Sequence, residues 1–139
     1  MRAGTSLRTM SKPLTLQISQ ELLNTILQGA RILHPRESIL LLRGKKKKET
    51  IEVSDLVIPP FANHGSNYAT FPFHMLPIDF SIIGTVHSHP SGNLRPSPTD
   101  LNHFLGTVLM IVGFPYSDES NVSAYKSTGE TITLHVTSS

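Results

Sequence analysis

The sequence predicts an α/β (α+β) fold, a mixed β-sheet flanked by helices, and three observations predict it. A strongly amphipathic helical stretch stands near the start, several short apolar runs of strand length follow it, and turn-forming residues separate those runs. At 139 residues the chain is long enough to bury one core and too short for two domains. Residues 1–12 read as a flexible tail, with Met10 as an alternative start, and 13–139 as the single folded domain.

Leu14, Leu16 and Ile18 alternate with polar residues, which marks a short half-buried strand. Ser19 is placed to cap a helix whose apolar residues Leu22, Leu23, Ile26, Leu27, Ala30 and Leu33 recur at helical spacing and stop before Pro35. Ser38–Leu42 is a continuous apolar run of strand length, buried on both faces. Gly44 and Lys45 to Lys48 predict a solvated turn, and Thr50–Ile58 the returning strand of a hairpin. A long surface loop is expected from Pro59 through Thr70, with Ala62 to Thr70 its best candidate for substrate contact; Phe71, Phe73, Met75, Leu76 and Phe80 then supply core.

Ser81–Val86 is β-branched and enters from the core, so His87 and His89 share one face of a strand that Pro90 stops. Ser97-Pro98-Thr99-Asp100 has the chemistry of a helix start, with Ser97 at the cap, Pro at the first position and the helix running to about Leu105. Thr107–Val112 predicts another buried strand. Val122–Lys126 and Thr131–Val136 follow as a hairpin joined by Ser127-Thr128-Gly129-Glu130.

Composition narrows the function. Twelve Lys and Arg against ten Asp and Glu give a net charge of +2, and four of the cations are Lys45 to Lys48, so no nucleic-acid face is indicated. With no cysteine, disulfides, thiolate zinc sites and cysteine nucleophiles are excluded. No run approaches the length of a membrane span and the first residues lack a signal-peptide core, so a cytoplasmic protein without a membrane role is the expectation.

Any metal must therefore be held by histidine and carboxylate. His87, His89 and Asp100 supply two imidazoles and a carboxylate with an open fourth position, the ligand set of a hydrolytic zinc; a loop can fold Asp100 back onto the two rings. The same set also makes the facial triad of iron oxygenases. Hydrolysis further needs a carboxylate that is not a ligand to move protons, and Glu37, at the edge of the Ser38–Leu42 strand, is the best placed. Singly, Asp100 and Ser97 are capping residues, Glu37 a solvated strand end, and His103, a helical turn from Asp100, a candidate support for the ligands.

Together, His87-Ser88-His89, seven residues, Ser97, two residues and Asp100, with Glu37 ahead of an apolar strand ending in Gly44, resemble the JAMM (MPN-plus) metalloprotease motif. The resemblance spans about residues 14–137, including Met75-Leu76-Pro77 and Phe114-Pro115-Tyr116. It is greatest to the short archaeal homologues of the proteasome-lid deubiquitinating subunit. It implies a cytidine-deaminase-like JAB1/MPN fold, one Zn2+ per chain on His87, His89 and Asp100, Glu37 as general base and acid, and Ser97 stabilising the oxyanion. It implies cleavage between the terminal glycine of ubiquitin or a ubiquitin-like modifier and a lysine, with modifier conjugates, and through the lid the proteasome, as partners. The chain ends soon after Val136 without the long helices that larger relatives use to assemble, which weighs against stable incorporation. Two alternatives are trimming of carboxyl-terminal extensions from ubiquitin-like sulfur carriers and a non-catalytic MPN scaffold. A deaminase is disfavoured because Cys-x-x-Cys is missing.

Overall fold

The polypeptide alternates short elements, and each change of element has a local cause. The structure is a computed structural model and describes residues 13–59 and 81–138. The tail before residue 13, the expected loop at 62–70 and the apolar stretch 71–80 lie outside the described residues. β1 (Thr15–Ser19) buries Leu16 and Ile18 on one side, as its alternation demands. Ser19 then accepts a hydrogen bond from the Leu22 N–H at 3.1 Å and starts α1 (Gln20–Leu33). The helix lays Leu23, Ile26, Leu27 and Ala30 on the sheet.

β2 (Ile39–Lys47) and β3 (Thr50–Val57) form the expected hairpin, but the lysines belong to the strand rather than to the turn. Lys45, Lys46 and Lys47 pair with Glu52, Ile51 and Thr50, and the reversal falls at Lys48, whose φ is 54°. Only the two-residue turn is left for Lys48 and Glu49, because cross-strand pairing overrides the weak strand preference of lysine. Gly44 marks a register shift in β2; a Cβ there would stand 2.0 Å from the Glu52 carbonyl oxygen.

β4 (Ile82–His89) lies between β2, antiparallel to it, and β5 (Val108–Gly113), parallel to it. α2 (Pro98–Asn102) connects them and stops three residues short of the expected Leu105. Its last carbonyls are taken early, since His103 returns both its N–H and its ring nitrogen to Thr99 O. Gly106 then reverses the chain at φ +80° against the Ile83 carbonyl. β5 is buried on both faces. Val108, Met110 and Val112 join the main core under α1, and Leu109 and Ile111 join a smaller cluster with Tyr125, Leu94, Leu101 and Phe104.

The last two strands depart from the expected hairpin. The turn forms, with Lys126 N–H bonded to Glu130 O and Ile132 N–H to Ala124 O, both at 2.8 Å. β6 (Val122–Tyr125) pairs with β5, whereas β7 (Thr133–Thr137) leaves it to lie parallel to β1, in register from Thr15↔Thr133 to Ser19↔Thr137. Among the described residues the sheet order is β6-β5-β4-β2-β3-β1-β7. Strands adjacent in sequence thus sit at opposite ends of the sheet yet touch at Tyr125↔Thr131. Only a strongly curled sheet meets both conditions, and its two rims meet at that bridge.

Candidate metal centre

Strand alternation divides β4 between two environments. Val86 joins the main core on the α1 side, while His87 and His89 project to the face covered by α2 and its preceding loop. His87 is 3 % exposed and Asp100 9 %, so a carboxylate and an imidazole are taken out of water together.

Asp100 is delivered by the cap of α2. Ser97 Oγ accepts from the Asp100 N–H at 3.0 Å, and Asp100 Oδ2 accepts from the Ser97 N–H at 2.8 Å, a reciprocal capping box behind Pro98. The carboxylate then lies between the rings, with Oδ1 3.0 Å from His87 Nδ1 and Oδ2 3.1 Å from His89 Nε2. Burial alone would raise the Asp100 carboxyl; the hydrogen bonds from His87, His89 and Ser97 outweigh it and hold the group far below the usual carboxylate range. Ser97→Ala is expected to lower stability by about 1 kcal/mol through loss of the cap, read by chemical denaturation of the metal-free protein.

The loop from Pro90 to Pro96 is built to orient His89. His89 Nδ1 donates to the Asn93 carbonyl at 2.7 Å, Asn93 Oδ1 accepts from the Arg95 N–H at 3.0 Å, and the Leu94 carbonyl accepts from both Ser123 and Tyr125 hydroxyls at 2.6 and 2.7 Å. Burial opposes charge on His89, but Asp100 and the Asn93 carbonyl prevail and raise its pKa. Both ring nitrogens of His89 face acceptors in this arrangement.

Among the described residues no three His or acidic side chains are opened around a common point as metal ligands. The donor set nevertheless fits a zinc-type ion. Each imidazole offers one nitrogen 3.0–3.1 Å from an oxygen of the same carboxylate, close to the spacing of about 3.3 Å between ligands of a tetrahedral zinc on bonds of ~2.0–2.1 Å. A cation replacing the His89 Nε2 proton would serve the same lone pairs, and the Asn93 carbonyl already fixes the tautomer this needs.

Glu37 reaches the same face from β2. Ile39 pairs with His87 in the antiparallel register, and continuing it by two residues sets Ser38 opposite Ser88 and Glu37 opposite His89. The exposed Glu37 lines a cavity of about 540 Å³ together with His89, Asn93, Arg95, Ser97 and Asp100. The Ser97 hydroxyl uses a lone pair for the cap, which leaves its hydrogen for an acceptor in that cavity. The structure therefore brings all five expected residues, Glu37, His87, His89, Ser97 and Asp100, to one place. His103, one helical turn on from Asp100, directs its Nδ1 to Thr99 O at 2.9 Å. Asn93 was not anticipated because it acts through its backbone carbonyl, which any residue carries.

The chain matches the model of the prokaryotic homologues of the JAB domain over residues 19–127. It is 34 % identical over 126 residues to a probable metalloprotease of Haloferax volcanii, covering 86 % of this chain and 78 % of that one. A JAB1/MPN domain protein from Archaeoglobus fulgidus is similar in structure, with TM-score 0.62, 35 % identity, and 89 % of this chain and 99 % of that one covered. So is a structure described as a metalloprotease-like zinc site in the proteasome and signalosome, with TM-score 0.60, 32 % identity, and coverage of 90 % and 98 %. No helix among the described residues is long and apolar enough to cross a membrane. A capped aspartate folded onto a His-x-His strand, on a mixed sheet shared with these relatives, places the chain in the prokaryotic JAB family, of the JAMM/MPN type.

Proposed function

We propose that the protein is a zinc-dependent isopeptidase that hydrolyses the bond between the carboxyl-terminal glycine of ubiquitin or a ubiquitin-like modifier and a lysine side chain. The observation that carries this reading is the placing of Glu37 opposite His89 across one cavity, so that a non-ligand carboxylate faces the His87, His89 and Asp100 donor set. His87, His89 and Asp100 would hold the metal. When bound there, zinc would lower the pKa of water toward about 7 and act as a Lewis acid on the scissile carbonyl.

The side chains of this protein would do the rest. Glu37 takes the proton of the attacking water on its carboxylate and delivers it to the lysine nitrogen as the carbon–nitrogen bond breaks. The Ser97 hydroxyl donates to the carbonyl oxygen as negative charge develops on it. The cavity opens beside Pro90, Ser91 and Pro96, so an extended modifier tail could enter along this loop.

The test is a modifier–lysine conjugate incubated with protein carrying about one zinc per chain. Cleavage is expected, with complete loss in chelator and recovery when zinc is returned. A linear precursor with residues beyond its diglycine runs alongside, and preferential cleavage of it would assign a processing peptidase instead. Failure of the zinc-loaded protein to cut either substrate would overturn the enzymatic reading.

A further inference from the structure

The residue between the two histidines faces away from them and is not idle. Ser88 is 1 % exposed and points to the α1 side of the sheet. Its backbone N–H donates to the Ser38 carbonyl at 3.0 Å, and its Oγ accepts from the Ser38 N–H at 2.7 Å and the Ser38 hydroxyl at 3.1 Å. Those two bonds use both lone pairs of Oγ, and Tyr116 is its neighbour. Tyr116 is fully buried, its hydroxyl lies 3.3 Å from His34 Nδ1, and its carbonyl accepts from the Arg31 guanidinium. Three hydrogen bonds between Ser38 and Ser88 thus tie the residue just before β2 to β4.

The neighbour of Ser38 is Glu37, whose carboxylate makes no hydrogen bond or ion pair among the described residues and acts on His89 and Tyr116 only through space, so its position follows its backbone. We propose that Ser88 is the positioning residue for Glu37: its Oγ clamps Ser38 in register against β4 and so holds Glu37 opposite His89. The inference rests on the role given above to Glu37. Loss of the clamp frees the end of β2 to fray, and a side chain whose position follows that backbone moves with it. The ligands are spared, because His87, His89 and Asp100 are held from the other face.

Ser88→Ala is expected to bind zinc with unchanged stoichiometry and to lose about 10–100-fold in kcat with KM held, the scale of a lost supporting hydrogen bond. The metal-free variant should exchange its Ser38 amide hydrogen faster than the parent. Ser88→Thr, which keeps the hydroxyl, should recover much of the loss. Ser38→Ala removes the hydroxyl–hydroxyl bond of the clamp alone and serves if Ser88→Ala does not fold. The deciding measurement repeats these substitutions in Glu37→Gln. No further loss in that background supports a clamp acting through Glu37. An equal loss in both backgrounds, or none in the parent, overturns it. Full turnover by Glu37→Gln alone would instead remove the role of Glu37, and the clamp with it.

Discussion

Glu37→Gln is expected to retain one zinc per chain and the parent's thermal stability while kcat for conjugate cleavage falls by about 10²–10⁴-fold, the usual contribution of a positioned general acid–base. The amide matches the carboxylate in shape but cannot take a proton. Glu37 is exposed and its carboxylate is unbonded among the described residues, so a loss of rate reports chemistry and not stability. Equilibrium dialysis for zinc, circular dichroism for the melt and a gel-based cleavage assay read the three quantities on one preparation. Retained turnover would mean that another group moves the proton.

Asp100→Asn is expected to abolish both zinc retention and turnover. The substitution replaces a carboxylate that accepts from His87, His89 and the Ser97 N–H by an amide that cannot accept from all three. Its charge is what reconciles two imidazoles 3.0–3.1 Å from the same side chain. Metal content after gel filtration should fall from about one per chain to background, and activity with it. A full zinc complement in this variant would take Asp100 out of the ligand set. The two variants separate the site into parts: one keeps the metal and loses the proton transfer, the other loses the metal itself.

The parts of the site legible in the sequence are those set by neighbours in the chain. His-x-His on a β-branched run fixes two rings on one face by alternation alone, and Ser-Pro-x-Asp writes a capping box in four consecutive residues. The position of Glu37 is a long-range fact. It depends on β2 meeting β4 in one register, which periodicity does not reveal and the motif resemblance supplied. The Ser38–Ser88 clamp was missed for the same reason, since its members lie ahead of β2 and on β4 and meet only in the packed sheet.

Among the strands, the misreadings share one cause. The turn at residues 126–130 was identified from local chemistry and forms, but the destination of β7 is decided by β1, more than a hundred residues away. Lys45 to Lys47 look like a loop by composition and are strand because β3 offers partners. The reading of α2 to Leu105 failed by three residues, where His103 ties the helix off with its own ring.

The parallel pairing of β1 with β7 also bears on how the molecule comes into being. β1 is among the earliest residues of this fold to leave a ribosome and β7 among the last, and α1 packs beside the strand that waits. Side pairing with β3 can begin sooner, but the rim of the sheet cannot close until Thr133–Thr137 has been synthesised. Contacts of such long sequence separation fold slowly and leave apolar surface open meanwhile. The nascent protein should therefore stay protease-sensitive until Thr133–Thr137 has emerged and gain resistance abruptly at that point, with the histidine strand already in place and its aspartate already capped.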